Sequence, residues 1–166
     1  ILRVCLNYVR TRGEVAEGAS TITQQLARGT YLTNEKTMLR KIKEIFIARE
    51  LTKKYSKEQI MEFYCNTCCF ANGIYGVEDA AQTYFGKSVS ELTLSEMAYI
   101  CAIPNRPEYY NPLKQPENAV TRRDKILEDM VECGFIQQSA CDEAKAQTIT
   151  VDSVEEDDTF YNYEVT

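Results

Sequence analysis

The chain is organised around GASTITQQLARG (residues 18–29) and LRKIKEIF (residues 39–46). The first stretch follows a Gly-Ala turn with the hydroxyls of Ser20 and Thr21 and the amide of Gln25. These residue types are typical of the start of a helix, where free backbone N–H groups already favour an anion. We therefore predict a helix over residues 20–28, capped by Ser20 or Thr21, that presents hydrogen-bonding groups to a ligand.

The second stretch places charges of both signs on one side of a predicted helix over residues 35–54. Arg40 and Glu44 are four residues apart and share a helix face, with Lys41 beside them. Two cations next to a carboxylate offset its charge and can also receive a phosphate. We predict that the two stretches face each other across a cleft that handles a phosphorylated substrate.

The remainder of the chain also has helical patterns. Capping-box pairs are recognisable at Ser56 with Gln59 and at Thr93 with Glu96. Prolines at positions 104, 107 and 112 predict an extended loop. Further helices are predicted over residues 57–66, 77–85, 93–102, 117–133 and 137–147, which makes the expected fold class all-α.

Two local features of the first helices give testable expectations. Gly29 is expected to end the first helix, and Tyr31 and Leu32 in the following connection are expected to be exposed. Leu39, Ile42 and Phe46, with neighbouring Ile45, form an apolar stripe at helical spacing. We interpret this stripe as part of the hydrophobic core rather than as a membrane contact.

Charge and composition narrow the functional class. Residues 28–57 contain nine Lys or Arg and three Asp or Glu, whereas residues 142–166 contain one and eight. The isoelectric point near 4.9 and the absence of Trp make nucleic acid a poor candidate partner. No apolar run reaches the roughly 18 residues that cross a bilayer. Because the chain begins in mid-pattern at Ile1, we expect a fragment whose membrane anchor lies in a preceding segment.

Seven cysteines are present, an odd number that prevents complete internal pairing. Cys65 and Cys68 form a CxxC pair, but no histidine and no second pair at metal-ligand spacing accompany it. Buried free thiols are the preferred interpretation, and a zinc or thioredoxin-type site is the alternative.

Four segments carry a family resemblance: GASTITQQL (18–26), RKIKE (40–44), KEQIMEFYCN (57–66) and NGIYGVEDAAQTYFGK (72–87). In order and spacing they resemble motifs of the peptidoglycan glycosyltransferase domain of class A penicillin-binding proteins, glycosyltransferase family 51. The resemblance implies an all-α, lysozyme-like transglycosylase fold with a small jaw subdomain that touches the membrane. It implies polymerisation of lipid II into β-1,4-linked glycan strands in cell wall synthesis, with inversion and release of undecaprenyl pyrophosphate.

The resemblance also assigns roles to residues of this chain. Glu44 matches a catalytic glutamate that acts near the leaving group or on a divalent cation, magnesium or manganese. The matching substrate-binding positions are Ser20, Thr21, Gln25, Arg28, Arg40, Lys41 and Asn66. Lipid II, the growing glycan strand and the membrane surface are the implied partners, on the extracytoplasmic face of the cell membrane.

One motif of the family has no counterpart in this sequence. The general base of the family lies in an ED-x-x-F-x-x-H motif before the GASTITQQL-type segment, and this chain has no histidine. We therefore expect residues 1–147 to be an N-terminally truncated glycosyltransferase domain with little activity alone. Residues 148–166 are expected to be an acidic linker or the start of a following domain, such as a transpeptidase domain.

Two alternatives remain open on the sequence. A non-catalytic scaffold or peptidoglycan-binding relative would keep the fold without the base. A lytic, muramidase-like enzyme would need a catalytic acid in a sugar cleft without phosphate-binding cations. The cations at positions 28, 40 and 41 argue against the lytic enzyme.

Overall fold

A computed structural model describes residues 20–32 and 37–152. Across these residues the chain forms α-helices and short 3-10 helices, and the β structure is limited to an isolated bridge between Cys69 and Tyr75. The all-α prediction is confirmed. The α-helices are α1 Ile22–Tyr31, α2 Met38–Lys54, α3 Lys57–Thr67, α4 Val77–Phe85, α5 Leu94–Ala102, α6 Pro116–Glu132 and α7 Gln138–Ala146; the 3-10 helices are Val89–Glu91 and Ile103–Asn105.

The prediction that Gly29 ends the first helix was wrong. Helix α1 continues through Gly29 to Tyr31 and ends where Leu32 becomes extended. A glycine inside a helix costs about 1 kcal/mol relative to alanine. Burial of Leu26 and Ala27 on the same helix outweighs that cost, because both side chains belong to a hydrophobic core.

The second helix begins at Met38 rather than at residue 35. The Thr37 hydroxyl caps it by accepting a hydrogen bond of 3.1 Å from the Arg40 backbone N–H. The predicted capping boxes at Ser56 and Thr93 are both formed. Such caps are predictable because their partners are only three residues apart.

The chain divides into two compact units, residues 1–64 and 65–166. In the described part of the first unit, α1, α2 and α3 pack around a small apolar core. Its buried members are Leu26, Ala27, Leu51 and Ile60, and Ile47, Tyr55 and Tyr64 pack against them.

The apolar stripe on α2 is not part of that core, contrary to our interpretation. Leu39 and Phe46 are each 63% exposed and Ile42 is 48% exposed. The covered face of α2 instead carries Glu44 and Leu51. Periodicity locates an apolar face but does not show whether protein covers it, and here the burial of a charged residue decides the orientation of the helix.

The second unit has a larger core in which Tyr84, Tyr99, Ile100 and Ile103 are fully buried. A neighbouring cluster joins α5, α6 and α7 through Ala98, Leu127, Cys141 and Ala144. The segment after α7 also packs on this unit, since Ile149 and Val151 contact the larger core.

Arg123 and Asp152 fasten the segment that follows α7. The guanidinium of Arg123 is buried and donates hydrogen bonds of 3.0 Å to the Gln147 carbonyl and 3.2 Å to the Lys145 carbonyl. The backbone N–H of Asp152 donates to the Tyr84 carbonyl at 2.9 Å.

The six described cysteines are free thiols. Cys141 is buried as predicted, whereas Cys133 is exposed and Cys68 is half-buried. Burial raises the pKa of the Cys68 thiol to about 12.

Over the residues with a described position, no three His, Cys, Asp or Glu side chains are placed to share a metal ion. None of the helices in this part of the chain is both long and apolar enough to cross a membrane.

Candidate functional site

The N-terminus of α1 is closed by a reciprocal cap. The Thr21 hydroxyl accepts a hydrogen bond of 3.2 Å from the Gln24 backbone N–H, and the Gln24 side chain accepts one of 3.3 Å from the Thr21 N–H. The Thr21 carbonyl accepts from the Gln25 N–H at 2.9 Å. Because the Thr21 hydroxyl is an acceptor here, its own proton remains available to a ligand.

Two backbone N–H groups at the N-terminus of α1 are not hydrogen-bonded to any described residue. The N–H groups of Ile22 and Thr23 have no acceptor among residues 20–32 and 37–152. Free N–H groups at a helix N-terminus carry partial positive charge. The start of α1 is therefore suited to a negatively charged group.

Glu44 is the centre of a charge cluster on α2. Its Oε1 accepts from the Arg40 Nη1 at 2.5 Å, and its Oε2 accepts from the Lys41 Nζ at 2.7 Å. Glu44 is only 1% exposed. Each carboxylate oxygen is thus held by a different cation, and the three side chains together carry one net positive charge.

Lys41 joins this cluster to the start of α1. Its Nζ also donates a hydrogen bond of 2.7 Å to the Ser20 hydroxyl. The two stretches that the sequence singled out therefore meet, with the ammonium group between a hydroxyl and a carboxylate. The Nε of Arg40 is buried and has no hydrogen-bond partner within the described residues.

Gln25 makes internal contacts from both ends of its side chain. Its Nε2 donates to the Ser20 carbonyl at 3.4 Å, and its Oε1 accepts from the Tyr64 hydroxyl at 3.3 Å. Gln25 thereby positions Ser20 relative to α3. Tyr64 was not singled out from the sequence, although a tyrosine hydroxyl on an otherwise apolar helix face is a signal that a polar partner is required.

Arg28 and Asn66 are not brought into the Glu44 cluster by any described contact. Arg28 is exposed in the last turn of α1, and its spacing from Thr21 and Gln25 puts all three on one helix face. Asn66 belongs to the second unit, where its side chain is exposed near the end of α3.

A divalent cation does not fit this cluster as it stands. Both oxygens of Glu44 are occupied by cations, and the described residues supply no group of three metal-ligating side chains. Hard divalent cations need several oxygen ligands. The contacts of Glu44 are those of a carboxylate that orients two cationic donors.

Comparison with known proteins agrees with these observations. A family model described as Transglycosylase matches residues 1–131. The chain is 43% identical over 150 residues to penicillin-binding protein 4 of Bacillus subtilis (strain 168), covering 90% of this chain and 24% of the relative. It is 44% identical over 137 residues to penicillin-binding protein 1A of Escherichia coli (strain K12), covering 82% and 16%.

A solved structure supports the same assignment. The crystal structure of penicillin-binding protein 1A from Haemophilus influenzae matches with a TM-score of 0.56 and 30% sequence identity, covering 82% of this chain and 17% of that chain. The chain therefore spans about a quarter or less of the length of these relatives. From its sequence, its fold and these matches, the chain belongs to the transglycosylase family, as represented by the transglycosylase domain of class A penicillin-binding proteins.

Proposed function

We propose that this chain is the glycosyltransferase part of a larger peptidoglycan polymerase. The polymerase joins the disaccharide units of lipid II through β-1,4 bonds, with inversion at the anomeric carbon and release of undecaprenyl pyrophosphate. Family membership supports the reaction class, and the sequence match to relatives several times longer supports a parent protein with further domains, a transpeptidase domain among them.

The contact of Lys41 with both Ser20 and Glu44 carries this proposal. Departure of a pyrophosphate places negative charge on oxygens that water would otherwise solvate, and preorganised cations lower the barrier by stabilising that charge. Lys41 is held in place from two sides before any ligand arrives. Its Nζ has a third proton free to donate to a phosphate oxygen.

Glu44 acts near the leaving group through its two cations in this scheme. Removing it would leave Arg40 and Lys41 without the acceptor that fixes their positions. Arg40 offers further N–H groups in the planar arrangement that matches phosphate oxygens. Ser20, Thr21 and the α1 N-terminus complete the same anion-binding surface, and Arg28 and Gln25 are proposed to contact or position the substrate at its margins. Asn66, in the second unit, is proposed as a further substrate-binding residue.

The chain by itself is proposed to have little polymerase activity. Attack by a sugar hydroxyl requires a base within hydrogen-bond reach of the acceptor. The cluster around Glu44 contains one carboxylate, whose oxygens are both occupied, and the sequence has no ED-x-x-F-x-x-H motif. Binding of pyrophosphate, in contrast, depends on residues that are present.

The exposed apolar residues of the first unit are proposed to contact the membrane surface. Tyr31 and Met38 are 61% and 55% exposed, and the stripe Leu39, Ile42 and Phe46 continues this apolar surface along α2. An apolar helix face edged by Lys and Arg is typical of helices that lie in a bilayer interface. This contact would hold the polymerase at the extracytoplasmic face of the membrane, where a lipid-linked substrate is found.

Lipid II turnover by the full-length protein tests the role of the charge cluster. We expect Glu44→Gln to lower the turnover by about a hundredfold or more, because glutamine has no negative charge and presents an NH2 donor, in place of an acceptor oxygen, to one of the two cations. Glu50→Gln is the matched control, since Glu50 is an exposed glutamate on the same helix whose ion pair, within the described residues, is with exposed Lys53. Equal turnover by the two variants would contradict the proposal.

Vesicle binding tests the membrane contact. We expect replacement of Leu39, Ile42 and Phe46 by Asn to weaken binding of the 166-residue chain to anionic phospholipid vesicles. The reason is that the variant has no apolar side chains at these positions to bury in the bilayer interface. Phe135→Asn provides the control, as Phe135 is 77% exposed and lies outside this surface. Vesicle binding that responds only to Phe135→Asn would exclude the α2 surface.

A further inference from the structure

The second unit contains an open hollow that the proposed chemistry at Glu44 does not use. Its volume is about 460 Å³. The hollow lies between a turn and the adjoining side of α4, and it is lined by Gly73, Ile74, Tyr75, Asp79, Gln82 and Thr83. Its volume falls in the range of about 300–1,000 Å³ that is usual for small-molecule sites.

The turn that forms one wall has an unusual backbone. Ala71 and Asn72 have φ values of 69° and 48°, in the left-handed region that non-glycine residues rarely adopt. Each such residue costs on the order of 1–2 kcal/mol, so the surrounding structure must impose the conformation. The Phe70 N–H donates to the Ile74 carbonyl at 2.8 Å, and the Gly76 N–H donates to the Cys68 carbonyl at 3.1 Å, which closes the turn on both sides.

A partly buried amide network fixes the same turn. Asn72 and Asn111 donate to each other, at 2.8 Å from Asn111 and 3.3 Å from Asn72. The Asn72 amide also donates to the Tyr84 hydroxyl at 3.1 Å, and that hydroxyl donates to the Phe70 carbonyl at 2.7 Å. Tyr84 and Asn111 are fully buried, so the turn is anchored directly to the core.

The rigid turn holds an exposed aromatic residue at the hollow. Tyr75 is 60% exposed, although its neighbours Ile74 and Gly76 are half-buried and buried. Its position is fixed by the backbone bridge to Cys69 rather than by packing of its own ring. A tyrosine held in water by a strained and heavily bonded turn is more consistent with ligand binding than with fold stability.

The other walls supply hydrogen-bonding groups around this ring. Asp79 offers two acceptor oxygens, Gln82 offers an amide and Thr83 offers a hydroxyl. None of the lining residues is a cation. A carboxylate without a cation disfavours a phosphate or pyrophosphate, whereas a neutral ligand with many hydroxyl groups satisfies all of these side chains.

We propose that this hollow is a saccharide subsite, in which an N-acetylhexosamine unit of the glycan packs its C–H face on the Tyr75 ring and bonds its hydroxyl groups to Asp79 and Gln82. The identity of the sugar rests on the proposed function, because a glycan strand is the product of that reaction. The subsite retains a saccharide segment of the strand independently of the pyrophosphate.

The experiment measures binding by saturation-transfer NMR and calorimetry with the full-length protein. One ligand is a lipid-free oligosaccharide of alternating N-acetylglucosamine and N-acetylmuramic acid without peptide. The other ligand is the stem peptide without sugar. The variants are Tyr75→Ala, Tyr75→Phe, Asp79→Asn and, as a control at another exposed tyrosine of the second unit, Tyr109→Ala.

We expect Tyr75→Ala to weaken oligosaccharide binding by about fivefold to tenfold, and Tyr75→Phe and Tyr109→Ala to leave it within about twofold. Asp79→Asn should weaken the same binding, because it replaces a charged acceptor with a neutral amide. If Tyr75→Ala fails to fold, the oligosaccharide affinity of Asp79→Asn tests the subsite instead. With lipid II as substrate, Tyr75→Ala should also shorten the glycan products, whereas Tyr109→Ala should leave their length unchanged.

Unchanged oligosaccharide affinity in both Tyr75→Ala and Asp79→Asn would overturn the subsite. Preference of the hollow for the stem peptide would overturn it as well, since the ligand class would be wrong. Failure of the proposed function gives a different result. In that case lipid II is not polymerised by the unmodified protein, while the effect of Tyr75→Ala on oligosaccharide binding is still measurable.

Discussion

The Lys41 Nζ lies 2.7 Å from the Ser20 hydroxyl, which ties the first turn of α2 to the residue before the cap of α1. The same ammonium group donates to Glu44 at 2.7 Å. A single lysine therefore sets the distance between a helix N-terminus and a buried carboxylate. Substitutions of Lys41 should therefore separate the effect of its positive charge from the effect of the position that its side chain gives to that charge.

Under the proposed function, Lys41→Met should lower lipid II turnover by the full-length protein by about a hundredfold, because the proposed pyrophosphate leaving group loses a preorganised cation. Lys41→Arg keeps the charge but changes its position and should recover only part of the activity. Lys53→Met on the same helix is the control, since Lys53 and its ion-pair partner Glu50 are both exposed. Full activity of Lys41→Met in this assay would show that the cation is structural.

Tyr84 and Tyr99 form a matched pair for a stability measurement, because both are fully buried in the same core. The Tyr84 hydroxyl bonds to Phe70 and Asn72, whereas the Tyr99 hydroxyl has no partner within the described residues. Tyr84→Phe should lower the free energy of unfolding by about 1–3 kcal/mol, and Tyr99→Phe should leave it unchanged or raise it. Urea denaturation of the 166-residue chain provides the comparison, and a larger loss for Tyr99→Phe would contradict the assigned contacts.

The same two tyrosines predict a loss of stability at alkaline pH. Burial raises the pKa of Tyr84 and of Tyr99 from 10.0 to about 12. Between these values the unfolded chain releases the phenol protons and the folded chain keeps them, so the free energy of unfolding falls as pH rises through this interval. Each residue contributes a slope of up to about 1.4 kcal/mol per pH unit.

Denaturation curves between pH 9 and 12 would measure this slope, with Tyr99→Phe as the test variant. The variant should show a shallower decrease because one of the two titrating groups has been removed. A slope that is identical in the variant would mean that other groups cause the alkaline loss.

Asn72 combines an unfavourable backbone with favourable side-chain contacts, and two substitutions separate these effects. Asn72→Ala should lower the free energy of unfolding by about 2–3 kcal/mol, because the Nδ2 of buried Asn111 loses its acceptor while the left-handed conformation remains. Asn72→Gly loses the same contacts but adopts a φ of 48° without strain. It should therefore be about 1 kcal/mol more stable than Asn72→Ala by thermal unfolding. The opposite order would show that the turn changes conformation when the amide network is lost.

The helices and their caps were largely predictable because the interactions that form them are local. The capping boxes at Ser56 and Thr93 join residues three positions apart, so the sequence contains both partners. The pairing of Arg40 with Glu44 is predictable for the same reason, since the two residues lie one helical turn apart. The four-motif resemblance also identified the family, which the comparisons confirmed.

By itself the sequence determined the helical class, the caps and the charges that flank Glu44, because these depend on neighbours within about one turn. Tertiary structure decided which side of α2 is covered, placing Glu44 inside and Leu39 and Phe46 outside. It also decided that Lys41 reaches Ser20 and that Tyr64 reaches Gln25. The first contact joins two residues that are 21 positions apart in the sequence, and the second joins two that are 39 positions apart. They depend on how separate helices pack, and a periodic pattern within one helix contains no information about the element that covers it.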